Sequence, residues 1–133
     1  MNRKWLGLVA VCTLTLQILS CSSGQQLQTI TVSPAGETFL APDTTLSVQL
    51  KAFGSYAHPP ANKDITDQVT WTSNTPQVAV VSNTGLLSPA GTGCGSAIIS
   101  ASLLTNDPTG NVVVGTMTVT VDNIAVATCP QPK

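Results

Sequence analysis

The side chains that could carry chemistry are four cysteines and one histidine, in a chain of 133 residues. Cys12 and Cys21 belong to the first 21 residues, whereas Cys94 and Cys129 stand 35 positions apart with no histidine near them. A structural zinc site generally needs four nitrogen or sulfur ligands, so the spacing disfavours zinc. Disulfide formation is a common role of cysteines in exported chains.

Catalysis has little support in the sequence. His58 is the single histidine, in a segment (residues 55–63) that also holds Pro59 and Pro60. A serine nucleophile needs a positioned base, and the chain has no G-x-S-x-G sequence of a nucleophile elbow. We therefore expect His58 in a solvent-exposed loop, and a protein that is not an enzyme and uses no cofactor or metal.

Three aspartates leave a calcium site as an alternative. Asp43, Asp64 and Asp67 carry carboxylates, and calcium prefers clustered oxygen ligands. Asp64 and Asp67 flank two residues at the expected start of a strand, where aspartate commonly caps a turn. Turn capping is the interpretation that we favour for them.

The first twenty residues have the three parts of an export signal. Arg3 and Lys4 form the positive start, residues 5–19 are largely apolar, and Ser20 is a small residue before Cys21. Fifteen residues in a helix rise about 22 Å, less than the ~30 Å hydrocarbon core of a bilayer. The segment therefore favours a signal peptide over a permanent membrane span.

The sequence I-L-S-C at residues 18–21 resembles the lipobox of bacterial lipoproteins. The resemblance implies cleavage before Cys21 and a membrane anchor of acyl chains on that cysteine. Leu19 departs from the small residue usual at its position, so an ordinary secretory signal, cleaved a few residues later, stays an alternative. Ser22, in place of an aspartate, implies the outer membrane in a cell that has one. Residues 21–26 then form a short spacer.

Composition places the exported part among β-rich extracytoplasmic domains. Charged residues make up only 8% of the chain, against about 25% in an average soluble domain. The abundant valine and threonine pack well on pleated sheets. Without Arg3 and Lys4, three basic residues face six acidic ones. This balance does not attract a polyphosphate backbone, and it excludes nucleic acid as a partner.

From Leu27 onward, short strand patterns alternate with turn residues, and no stretch shows helical spacing. Asn and Gly tolerate positive φ, which predicts a turn at residues 83–85. Many short strands joined by turns indicate one domain built as a β-sandwich or barrel. The expected strands are residues 29–32, 46–52, 69–73 and 78–82, followed by a hairpin of residues 96–104 and 112–121.

Residues 27–121 resemble a bacterial immunoglobulin-like domain of group 2. The most distinctive part is D-I-T-D-Q-V-T-W-T-S at residues 64–73, with N-T-G-L at residues 83–86. The resemblance implies an all-β, immunoglobulin-like Greek-key sandwich of about seven strands. It also implies an adhesion or scaffold role in the cell envelope. The expected organisation is a signal peptide (1–20), a spacer (21–26), the domain (27–122) and a C-terminal tail (123–133).

Trp71 and the two late cysteines are expected to have structural roles. Trp71 alternates with Val69 and Ser73, so its ring is expected to fill the space between two sheets. Cys94 precedes one strand of the expected hairpin and Cys129 follows the other, so a disulfide between them would tie the tail to the domain. Two free thiols are the alternative.

The candidate partner-binding loop consists of Tyr56, His58, Pro59 and Pro60. It gathers an aromatic ring, a histidine and a rigid proline pair at one end of the sandwich, where such domains often carry binding loops. A simple irregular connection is the alternative. We expect a non-catalytic interaction, adhesion or structural module anchored through Cys21, with a protein or glycan partner. A small glycan- or partner-binding accessory lipoprotein is the second hypothesis.

Overall fold

The computed structural model describes residues 24–123 except 42, 44 and 92, and each regular element in these ranges is a β-strand. The prediction of an all-β fold is confirmed. The expected signal peptide, Cys21 and Cys129 lie outside the described residues. The strands are β1 (Gln26–Ser33), β2 (Gly36–Ala41), β3 (Val48–Gln49), β4 (Lys51–Ala57), β5 (Ala61–Asp64), β6 (Thr70–Ser73), β7 (Ala79–Val81), β8 (Leu86–Pro89), β9 (Gly95–Leu104) and β10 (Val112–Asn123).

The strands form three sheets around a shared core. The largest has the order β2-β10-β9-β6, and the other two have the orders β1-β4-β5 and β3-β8-β7. The centre of the four-stranded sheet is the β9–β10 hairpin, in which ten residue pairs run antiparallel. β2 joins β10 in parallel. Only residues 34–35 separate β1 from β2, so the chain passes from one sheet to another within a short bend.

Alternation along the hairpin separates a buried face from an exposed one, as strand geometry requires. In β10, Met117, Val119 and Val121 are buried, while the alternate residues Thr116 and Thr118 are exposed. The same alternation runs through β9. The buried face of the hairpin packs on apolar side chains of the other two sheets, which include Ile30, Val32, Ala52, Ala79 and Leu87.

Trp71 is held by the turns around it. Its side chain is 7% exposed, and its indole N–H donates to the Thr66 carbonyl at 3.1 Å. The Thr66 hydroxyl accepts from the Ala52 backbone N–H at 3.0 Å. Gly85, with a φ of 82°, lies so close that an added Cβ would be 3.2 Å from the Trp71 ring. The most distinctive residues of the sequence thus form one junction between core and turns.

The expected strand at 46–52 is not continuous. Leu50 separates β3 from β4, and its backbone N–H donates to the Gly85 carbonyl at 2.8 Å. β3 pairs with β8, whereas β4 pairs with β1 and β5, so one run of chain serves two sheets. Leu46 lies outside both strands and is 37% exposed, so it does not share the buried face of Leu50 and Ala52.

Three strands carry no strong sequence pattern and were not expected. β5 has the sequence A-N-K-D, and it forms because the chain turns back at residues 58–60 and pairs Ala61 with Tyr56. β2 takes its partner from β10, and β8 takes its partners from β3 and β7. The described chain therefore has more strands than the expected number of about seven.

β1 lies in close contact with β10 at Gly115. A Cβ added to Gly115 would lie 2.5 Å from the Ile30 carbonyl oxygen, nearer than a carbon and an oxygen can approach. Only a residue without a side chain fits there. This contact places the start of the domain beside the first residues of β10.

We predict that Gly115→Ala destabilises the domain by about 1–3 kcal/mol, because the new methyl group must displace the Ile30 carbonyl. Gly36→Ala is the matched control, since a Cβ there meets nothing nearer than the Thr118 carbonyl oxygen at 3.5 Å. Its effect should stay within about 0.5 kcal/mol. Urea unfolding curves of the two variants measure the difference, and equal midpoints would contradict the close contact.

Candidate functional site

A cleft of about 860 Å³ opens at the end of the sandwich where the described chain begins. Three segments form its walls: the start of β1, the end of β4 and the loop that joins β9 to β10. Its polar lining includes Gln26, Gln28, Tyr56, Gln68, Asn106 and Asp107.

Tyr56 and the first described residues are linked by a small network. The Lys63 ammonium lies 5.0 Å from the centre of the Tyr56 ring and donates a hydrogen bond to the Gln25 side-chain oxygen. The Gln25 amide nitrogen in turn donates to the Pro59 carbonyl at 3.0 Å. The amino-terminal wall of the cleft is therefore tied to the β4–β5 hairpin.

The four residues of the candidate partner-binding loop lie in two places. Tyr56 is half-buried, packs against the core and lines the cleft. His58, Pro59 and Pro60 form the exposed turn between β4 and β5, where His58 has a positive φ of 54°. None of these three lines the cleft. The ring of Tyr56 thus belongs to a different surface from that of His58.

Asp107 organises the loop between β9 and β10. Its carboxylate accepts hydrogen bonds from the Thr109 hydroxyl, from the Thr109 backbone N–H at 2.8 Å and from the Thr105 hydroxyl at 2.8 Å. The Asn111 amide donates to it at 3.3 Å. The Thr109 and Thr105 hydroxyls are the main causes that hold the pKa of Asp107 well below its usual value. This carboxylate is occupied by its own loop.

The same arrangement recurs at two other turns. The Asp64 carboxylate accepts from the Thr66 hydroxyl at 2.6 Å and from its N–H at 3.0 Å, and Asp43 accepts likewise from Thr45. These bonds lower the pKa of both carboxyls, and Lys51 lowers the pKa of Asp64 further. A D-x-T sequence is therefore the signal for these turns. It also occurs at residues 107–109, which the sequence reasoning missed.

The described ranges contain no group of three histidine, cysteine, aspartate or glutamate side chains that could hold a metal ion. The same ranges contain no helix with the length and apolar character needed to span a bilayer. Cys94 is half-buried immediately before β9 and is not a free thiol. Its expected partner Cys129 lies outside the described residues, so their pairing stays a prediction.

Uncharged hydrogen-bonding groups remain available in the cleft. The amides of Gln26, Gln28, Gln68 and Asn106 make no side-chain hydrogen bond to another described residue. Each amide offers both donors and acceptors, and the Tyr56 ring adds an apolar surface. With Asp107 engaged by its loop, the cleft suits a polar, uncharged ligand better than an ion.

The family model of the bacterial Ig-like domain (group 2) matches residues 26–110, which is more than half of the chain. The match begins with β1 and ends in the loop after β9, so the walls of the cleft lie largely inside it. No curated protein matches the sequence.

We predict that the domain loses stability as the pH falls below about 4. Because the folded-state pKa values of Asp64 and Asp107 are lowered, their stabilisation is present above the unfolded carboxyl pKa of about 3.9 and is lost below it. Asp107→Asn should reduce this acid dependence. Asp122→Asn is the control, because the exposed Asp122 side chain makes no hydrogen bond within the described residues. The Tm of both variants, measured from pH values above the unfolded carboxyl pKa to values below it, tests this prediction. If Tm falls with pH as steeply in Asp107→Asn as in the wild type, Asp107 is not a source of the acid dependence.

Proposed function

Because the chain belongs to the bacterial Ig-like domain (group 2) family, we propose that it is a non-catalytic interaction module held at a membrane by acyl chains on Cys21. The observation that carries the proposal is how the polar side chains are used. The distinctive aspartate, threonine and tryptophan residues hold turns and core, whereas four amides without a side-chain partner among the described residues line one cleft. Such a surface can bind a partner, and the Asp107 carboxylate in it is a weak base because the hydrogen bonds of its loop lower its pKa.

The anchor rests on the sequence before the domain. An apolar segment with a positive start ends in I-L-S-C, and a polar spacer follows directly. Two or three acyl chains hold a protein stably at a bilayer, whereas one chain is marginal. Only Ser22 and Ser23 separate Cys21 from the first described residue, Gly24. Acylation would therefore keep the domain close to the membrane surface, in the outer membrane of a cell that has one.

Replacing the acylated residue tests the anchor. In a bacterial host that processes lipoproteins, Cys21→Ala should move the exported protein from the membrane fraction to the soluble fraction. Ser23→Ala, two residues away in the same spacer, should leave it in the membrane. The mass of the purified wild-type protein should equal that of the chain from Cys21 plus its acyl groups.

An unmodified amino terminus downstream of Cys21 would contradict the anchor and support an ordinary secretory signal. The same mass also reports on the proposed Cys94–Cys129 disulfide, which lowers it by two hydrogens. The bonded state of Cys94 supports this pairing. In the chain-entropy model a loop of this length contributes about 3–4 kcal/mol.

The cleft itself favours a second candidate function, recognition of a neutral glycan. Sugars present hydroxyl groups that both donate and accept, which matches the amides of Gln28 and Gln68. Their C–H faces pack on aromatic rings, which matches Tyr56. The absence of an available charge in the polar lining fits a sugar without acidic groups.

We expect the purified protein to bind members of a neutral oligosaccharide array. Gln68→Ala should weaken the binding about threefold to tenfold, the range expected for one lost hydrogen bond. Gln77→Ala removes an exposed amide outside the cleft and should change nothing. Isothermal titration with the best array sugar measures both variants. Equal losses, or no sugar bound at all, would leave a protein partner as the better candidate.

A further inference from the structure

An uncharged apolar band lies on the exposed face of the β9–β10 hairpin, at the end next to the connecting loop. Leu104, Val112 and Val114 form it, with side chains 63%, 58% and 52% exposed. Leu104 and Val112 are directly paired across the two strands, and Val114 is the next residue on that face. Single exposed apolar residues are ordinary, but three adjacent ones form a contact surface that needs an explanation.

The band lies at the end of the domain from which the anchor would extend. Gly24 and Leu104 line the same cleft, so the first described residues and the end of β9 lie at the same end of the domain. The three residues 21–23 span no more than about 10 Å when fully extended. A lipidated Cys21 would therefore hold the band within reach of the headgroup region.

The other side chains at this end are of the types that favour a membrane interface. Tyr56 has a polar tip on an apolar ring, and the Lys63 ammonium above that ring can meet lipid phosphate. Asp107 is the acidic residue of the adjoining loop, and its four hydrogen bonds occupy its carboxylate. Asn106 and Thr109 give the loop a polar surface that headgroups and water can solvate.

We propose that the apolar band docks into the interface of the bilayer that holds the lipid anchor, and so fixes the orientation of the domain. This inference rests on the proposed acylation of Cys21. The short tether supplies proximity and the band supplies the contact. The domain would then lie against the membrane with its cleft near headgroup level.

A tryptophan placed in the band reports the docking. The processed protein should contain Trp71 as its sole tryptophan, and this ring is buried. Leu104→Trp is the reporter. Ile98→Trp is the matched control, because Ile98 lies on the same strand and face, is 45% exposed, and stands about 20 Å from Leu104 at ~3.4 Å per residue.

Each lipidated full-length variant is placed in phosphatidylcholine–phosphatidylglycerol vesicles with or without bromine on the acyl chains. Emission from Leu104→Trp should shift to the blue relative to detergent micelles and lose intensity in brominated vesicles. Emission from Ile98→Trp should do neither. Equal quenching of the two, or quenching of neither, would overturn the docking. A blue shift of the Leu104→Trp emission that grows with the protein-to-lipid ratio, without quenching by brominated lipid, would also overturn the docking. It would indicate that a second copy of the protein covers the band.

A polar variant separates docking from anchoring. On vesicles, docking should slow the amide hydrogen exchange of residues 103–113 in the wild-type protein. Leu104→Ser should abolish this protection, while the protein keeps its acylated mass, its Tm and its place in the membrane fraction. Ile98→Ser should keep that protection. If the wild-type protein is acylated but its residues 103–113 are not protected from exchange, the docking alone is contradicted. If its amino terminus is not acylated, the anchor is contradicted, and the docking that rests on it as well.

Discussion

The contact between the Ile30 carbonyl and Gly115 is the constraint on which the arrangement of this domain depends. With no side chain at Gly115, β1 lies directly against β10, although the two strands belong to different sheets. The start of β1 is thereby fixed beside the loop end of the β9–β10 hairpin. The cleft, the Tyr56–Lys63 contact and the apolar band all lie at this end of the domain.

The polar residues of the domain fall into two groups: some form hydrogen bonds that hold turns and core, and others are exposed in the cleft. The carboxylates of Asp43, Asp64 and Asp107 each accept a hydrogen bond from the threonine two positions later. Thr66 in turn accepts hydrogen bonds from the Trp71 indole and the Ala52 backbone N–H. Buried polar groups need such partners, and exposed turns keep their shape through them. Among the described residues, no buried side-chain nitrogen or oxygen lacks a hydrogen bond. The amides of the cleft are exposed, and water or a ligand can satisfy them.

Sequence alone predicted what depends on local pattern. Alternation located the β9–β10 hairpin almost to its ends, and the D-I-T…W stretch identified the family. It did not predict β2 or β5, whose strand character comes from partners distant in the chain. It grouped Tyr56 with His58 because they are close in sequence, yet β4 ends at Ala57, and His58 belongs to the exposed turn that follows, where its positive φ takes the chain out of the strand. The cleft joins the start of β1, the end of β4 and the β9–β10 loop, which are 28 or more residues apart in the chain, and no local pattern encodes such a meeting.

One end of the domain therefore combines a proposed anchor, a proposed docking band and a cleft of free amides, so a ligand of the cleft would be met at the membrane surface. Neutron reflectometry of the lipidated protein on a supported bilayer tests this account most directly. The account predicts a protein layer that begins within the headgroup region, with no water layer between the two. A hydrated gap as wide as the tether allows, about 10 Å, would contradict it.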